Sequence, residues 1–68
     1  MNENVINKWN ELKLMVESNE IDVLKNANGN ASAGVRARHG LRQFQRASAE
    51  LVRLLLETDK VNRATRKG

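Results

Sequence analysis

Cysteine, proline and tyrosine are absent from the chain, and one tryptophan and one phenylalanine are its only aromatics. Without cysteine there is neither a disulfide staple nor a thiolate metal site. Without proline, nothing breaks a long helix by removing a donor and clashing with the turn before it. The shortage of aromatics limits the apolar area that 68 residues can bury, and a monomeric core is marginal at this size. A helical pair that dimerises is the expected solution. No apolar run reaches membrane-spanning length, and Met1-Asn2-Glu3-Asn4 does not open a signal peptide. A soluble, cytoplasmic protein with no membrane partner is expected. Paired carboxylates, a glycine-rich strand–helix loop and a nucleophile motif are missing, and His39 is the one histidine. A metal site needs more ligands and a catalytic dyad needs a fixed partner, so no catalytic residue, metal or cofactor is expected.

What is present is charge, unevenly placed. The net charge is +4. Met1–Asn30 holds three basic residues against five acids, a balance of −2; Ala31–Gly68 holds nine against three, a balance of +6. No acid occurs from Val23 through Ala49. A mildly acidic support carrying a basic element points to a polyanionic partner.

The hydrophobic pattern is all-α: an antiparallel helical hairpin that dimerises into a four-helix bundle or short coiled coil. Asn2 or Asn4 caps a first helix from about residue 3 to 27. Its apolar face is Val5, Trp9, Leu12, Val16, Val23 and Ala27, widened by Ile6, Met15 and Leu24. Trp9 is expected in the core, towards Leu51 and Leu55. Leu14 and Ile21 fall roughly opposite and mark either a second contact surface or a change of phase. Residues 28–30 form the turn, with Gly29 suited to positive φ and Asn30 to capping the next helix. So short a connection makes the helices antiparallel neighbours. The second helix runs from about 31 to 61 with a heptad stripe of Ala33, Ala37, Leu41, Phe44, Ser48, Leu51, Leu55 and Thr58. Ala47, Val52 and Leu54 flank that stripe, and Gly40 interrupts the helix at a cost of roughly 1 kcal/mol relative to Ala. Residues 62–68 read as a frayed basic tail.

The candidate site is the start of the second helix and its outer face. The small residues Ala31, Ser32, Ala33 and Gly34 leave the helix-start amides uncovered, a seat for an anion favoured by the helix dipole. Behind it stand Arg36, Arg38, Arg42 and Arg46, and an outer-face line runs from Arg38 through Arg42, Arg46 and Arg53 to Lys60, about 33 Å at 1.5 Å per residue. Arginine suits phosphate because its planar fork donates two parallel hydrogen bonds. The expected DNA-phosphate contacts are Asn30, Ser32, Gly34, Arg36, Arg38, Arg42, Arg46 and Arg53, with His39 as an auxiliary contact. The bland alternatives are a solvated face with pairs Arg46/Glu50 and Arg53/Glu57, a Ser32 that only bonds the helix start, and neutralisation by Glu17, Glu20 or Asp22 across the hairpin. No aromatic is interleaved with the basic residues, so neither base stacking nor sequence readout is expected.

The run Gly29-Asn30-x-x-Ala33-Gly34-x-Arg36-x-Arg38-x-x-Leu41 resembles the bacterial linker-histone-like family, best known from chlamydial nucleoid proteins. The likeness extends from about Leu12 to Val61. It implies DNA binding and nucleoid organisation, and carries over to Gly29, Asn30, Gly34, Arg36 and Arg38. The long Lys- and Ala-rich C-terminal extension of the chlamydial pattern has no counterpart here beyond Arg63, Arg66 and Lys67, so strong condensation of DNA is not expected. Three functions follow from the residues. The first is a non-enzymatic, histone-like protein that binds double-stranded DNA in the nucleoid as a homodimer or higher homo-oligomer. The second is an RNA-binding hairpin dimer, and the third a protein-interaction bundle without nucleic acid.

Overall fold

A computed structural model describes residues 2–66 and the side chains of residues 2–63. Two helices account for nearly all of it: α1 (Glu3–Ala27) and α2 (Ala31–Arg66). They lie side by side as an antiparallel hairpin measuring 59 × 16 × 13 Å. Among the described residues no helix is long and apolar enough to cross a membrane.

Local chemistry sets both ends of α1. The Asn2 side chain accepts hydrogen bonds from the amides of Asn4 (3.0 Å) and Val5 (3.2 Å), satisfying donors that the first turn leaves open. At the other end Gly29 adopts φ of 100°. The Gly29 amide donates to Asn26 O (2.9 Å) and the Asn30 amide to Lys25 O (3.0 Å). This is the Schellman arrangement, and it needs a left-handed residue where glycine stands. Asn30 then caps α2 immediately, its Oδ1 accepting from the Ala33 amide at 3.0 Å. One residue thus closes one helix and opens the next, and the chain reverses with no slack.

The pairing register is uniform. Asn2 Nδ2 donates to Thr58 Oγ1 (2.7 Å), Lys8 bonds Glu50 (2.7 Å) and Arg36 bonds Asp22 (3.1 Å). The side chain of Asn19 lies against Gly40, and that of Asn26 against Gly34. The less exposed residues of α1 are Val5, Lys8, Leu12, Met15, Asn19 and Asp22. Those of α2 include Ala33, Ala37, Gly40, Phe44, Ala47, Leu51, Leu54 and Thr58. Both series advance by alternating three- and four-residue steps, the spacing of two helices in lengthwise contact.

This seam corrects the expected one on both helices. Trp9 is 54% exposed, not core; Val16 is 57% and Val23 44% exposed. On α2, Leu41 (49%) and Leu55 (46%) are exposed, Gly40 and Leu54 take their places, and Ala47 is buried beside a half-buried Ser48. The reason is size and polarity together. Ala33, Ala37, Gly40 and Ala47 let the backbones approach closely, and the facing α1 positions are then filled by side chains that bond across the gap or lie over a glycine. The buried hydrophobic residues are Leu12, Ala33, Ala37 and Ala47. Burying one leucine contributes about 1.5–3 kcal/mol, a thin core for so long a rod.

α1 ends at Ala27, and α2 continues past Val61 to Arg66. The expected tail is therefore helical over residues 62–66. The side chain of Arg66, and Lys67 altogether, lie outside the described residues.

Candidate nucleic-acid interface

The helix start offers less to an anion than its sequence suggests. The carboxamide oxygen of Asn30 is committed to the Ala33 amide, and its backbone carbonyl accepts from Asn26 Nδ2 at 3.1 Å. Gly34 is buried, covered by the Asn26 side chain. Its lack of a side chain makes room for Asn26. Both residues have structural tasks at the bend. Ser32 is exposed at the first turn of α2.

Of the arginines nearest the bend, Arg36 reaches across the hairpin. Its Nε and Nη2 each lie 3.1 Å from Asp22 Oδ1. This is the neutralisation that the acidic half of the chain made possible, and it falls on one arginine of the group. Arg38, Arg42, Arg46 and Arg53 are exposed and take part in no ion pair among the described residues.

Neither of the alternative intrahelical pairs, Arg46/Glu50 and Arg53/Glu57, forms an ion pair among the described residues. Glu50 turns to Lys8 of α1, and Lys8 also holds Glu11 at 2.8 Å. The Lys8 side chain is only 19% exposed, since it lies in the seam. Hydrogen bonds to Glu11 and Glu50 raise the Lys8 pKa above its ordinary value, and the bond from Lys8 lowers that of Glu50. Lys8 thus draws away the acid that lies between Arg46 and Arg53. No sequence rule signalled it, because a lysine in an interhelical seam looks like a surface residue.

Arg38, Arg42, Arg46 and Arg53 lie on the side of α2 turned away from α1 and span about 22 Å at 1.5 Å per residue. Lys60 and Arg63 continue the exposed positive positions. His39 is exposed beside them, its Nε2 3.4 Å from the side-chain amide nitrogen of Gln43. No group of three or more His, Cys, Asp or Glu residues among the described residues could hold a metal ion. The array is a row of long, flexible, permanently charged donors, suited to anions spaced along a line.

A family model described as "Histone H1-like protein Hc1" matches residues 6–57, covering α1 from its first turn, the bend and most of α2. No curated protein and no solved structure matches the chain.

Proposed function

The chain belongs to the histone H1-like Hc1 family, and from that membership and the open arginine face of α2 we propose a non-enzymatic protein of the bacterial nucleoid that binds double-stranded DNA. Arg38, Arg42, Arg46 and Arg53 contact backbone phosphates, with Ser32 and the adjoining amides a lesser contribution at the helix start. Arg36 contributes only when it leaves Asp22. The carrying observation is that Arg38, Arg42, Arg46 and Arg53 share one helix face and form no ion pair among the described residues, while Glu50, the acid between the last two, is bonded to Lys8. Contacts of this kind position a protein on a duplex without reading its bases. Affinity therefore changes little with sequence and falls steeply with salt, because each neutralised phosphate releases counterions. The hairpin works as a homodimer in the cytoplasm, since its internal seam buries so little.

Fluorescence anisotropy with two duplexes of unrelated sequence, titrated across a salt series, tests this. Similar affinities that drop together as salt rises are expected. A salt-independent response refutes phosphate contact, and preferential displacement by structured RNA moves the assignment to RNA.

A further inference from the structure

The hairpin has one side that its own seam leaves uncovered. Trp9, Val16 and Val23 recur every seven residues on α1, and Leu41, Ser48 and Leu55 every seven on α2. Both columns flank the seam on the same side, where Val16, Val23, Leu24, Leu41 and Phe44 line a groove of about 470 Å³. Just beyond them Ile6 is 36% and Val52 56% exposed. The five large residues of the two columns alone leave on the order of 500 Å² per copy in water, so two copies together reach the roughly 1,000 Å² that a specific interface needs.

We propose that a second copy of this chain covers this face, with the two-fold axis parallel to the rods. The acidic α1 of each copy then lies on the basic α2 of the other, and both bends sit at the same end. Three matches favour this arrangement over its inverse. Trp9, the largest residue of the α1 column, comes level with the partner's Ser48, the small member of the α2 column. Ile6 comes level with the partner's Val52, an apolar pair at the rim. Glu20 comes level with the partner's Arg38, a pair of opposite charges. The inverse dimer, with bends at opposite ends, stacks α2 on α2 and brings two strongly positive helices together. These levels follow from the antiparallel register, in which Lys8 already faces Glu50 and Asp22 faces Arg36.

One functional consequence rests on the DNA reading. With the axis along the rods, the two α2 helices occupy diagonal corners of the four-helix bundle, and their outer arginine faces point in opposite directions. Such a dimer holds two duplexes side by side. The inverse dimer would set both arginine faces on one side, against a single duplex.

The chain has no cysteine, so Asn28→Cys at the exposed bend accepts one spin label per copy. In a bundle with helices 8–10 Å apart, bends at the same end place the labels within about 25 Å of each other. Bends at opposite ends of a 59 Å rod place them about 40 Å or more apart. Electron–electron double resonance on the labelled protein without DNA, with light scattering for mass, reads the outcome. A dimer with the short distance is expected; a long distance, or a mass of 7.7 kDa at micromolar concentration, overturns the arrangement. Beads carrying one duplex then test bridging. Recovery of a second, free duplex through the protein is expected, and binding to the bead duplex without recovery of the other counts against the opposed faces. Failure to bind either duplex refutes the DNA reading and leaves the distance measurement to judge the dimer.

Discussion

Replacing Arg42, Arg46 and Arg53 together by glutamine removes three charges from the outer face of α2 and keeps side chains of similar length and helix propensity. None of the three is ion-paired among the described residues, so the hairpin loses no ion pair of its own, and circular dichroism and the melting midpoint should stay close to wild type. Binding should change in slope as well as strength. The logarithm of the affinity falls with the logarithm of salt concentration by about 0.9 for each phosphate neutralised on duplex DNA, so three lost contacts flatten the slope by about 2.7. Between 50 and 200 mM salt, that difference makes the wild-type protein lose about 40-fold more affinity than the variant. Anisotropy titrations at five or six salt concentrations resolve a slope change of this size. A variant that binds less tightly with an unchanged slope would mean that these arginines act other than through phosphates. Lost helicity would make them structural.

Further perturbations probe the hairpin itself. Gly29→Ala forces a side chain into φ of 100° and should cost about 1–2 kcal/mol, seen as a lower denaturation midpoint with the helical spectrum retained. Acidification should loosen the Lys8–Glu50 link: the Glu50 pKa is lowered by Lys8, so its contribution is complete above the ordinary carboxylate range and disappears as pH falls through the depressed value. Glu50→Gln should therefore melt with less dependence on pH below 5 than wild type does. The Lys8 pKa is raised, so the same link is intact below about pH 10 and weakens above its raised value, which a melt at high pH would show. Trp9 is 54% exposed in the single hairpin and covered in the proposed dimer, so its emission should shift to the red on dilution. An emission maximum that does not move while light scattering reports dissociation would place Trp9 outside the interface.

The helices, their bend and the family were legible because their signals are local or linear. Asn2 is a capping residue at the start of α1, Gly29 and Asn30 are turn and capping residues where α1 ends and α2 begins, and the family signature includes the bend and the first two arginines. The seam was legible only in part: Val5, Leu12 and Met15 on α1 and Ala33, Ala37, Phe44, Leu51 and Thr58 on α2 lie in it as expected, but its polar members do not follow from the sequence. Ranking positions by hydrophobicity selects Trp9, Val16, Val23, Leu41 and Leu55, and that column is real. It flanks the contact between the two helices of one hairpin, while the contact itself runs through Lys8, Asn19, Asp22 and Asn26 on α1. Each of these has a partner that only the fold supplies: a carboxylate, a glycine or a guanidinium on the other helix. The Arg36–Asp22 pair was legible only as one of three options, Glu17, Glu20 or Asp22, because the acid lies fourteen residues earlier and across the bend.

Gly40 shows why that seam, and not the more hydrophobic one, closes the hairpin. A β-carbon there would meet the Asn19 side-chain amide, so the glycine is kept for closeness in spite of its cost of about 1 kcal/mol in a helix interior. Gly40→Ala should gain that propensity and lose the fit, for a net change near zero in the wild-type chain. In an Asn19→Ala background the obstruction is gone, and the same substitution should stabilise by about 1 kcal/mol in urea denaturation. The difference between the two measurements is the coupling between Asn19 and Gly40. If Gly40→Ala stabilises both backgrounds equally, the helices do not touch there. The contact line would then lie elsewhere, and the apolar column would be free to serve the hairpin's own core instead of a partner.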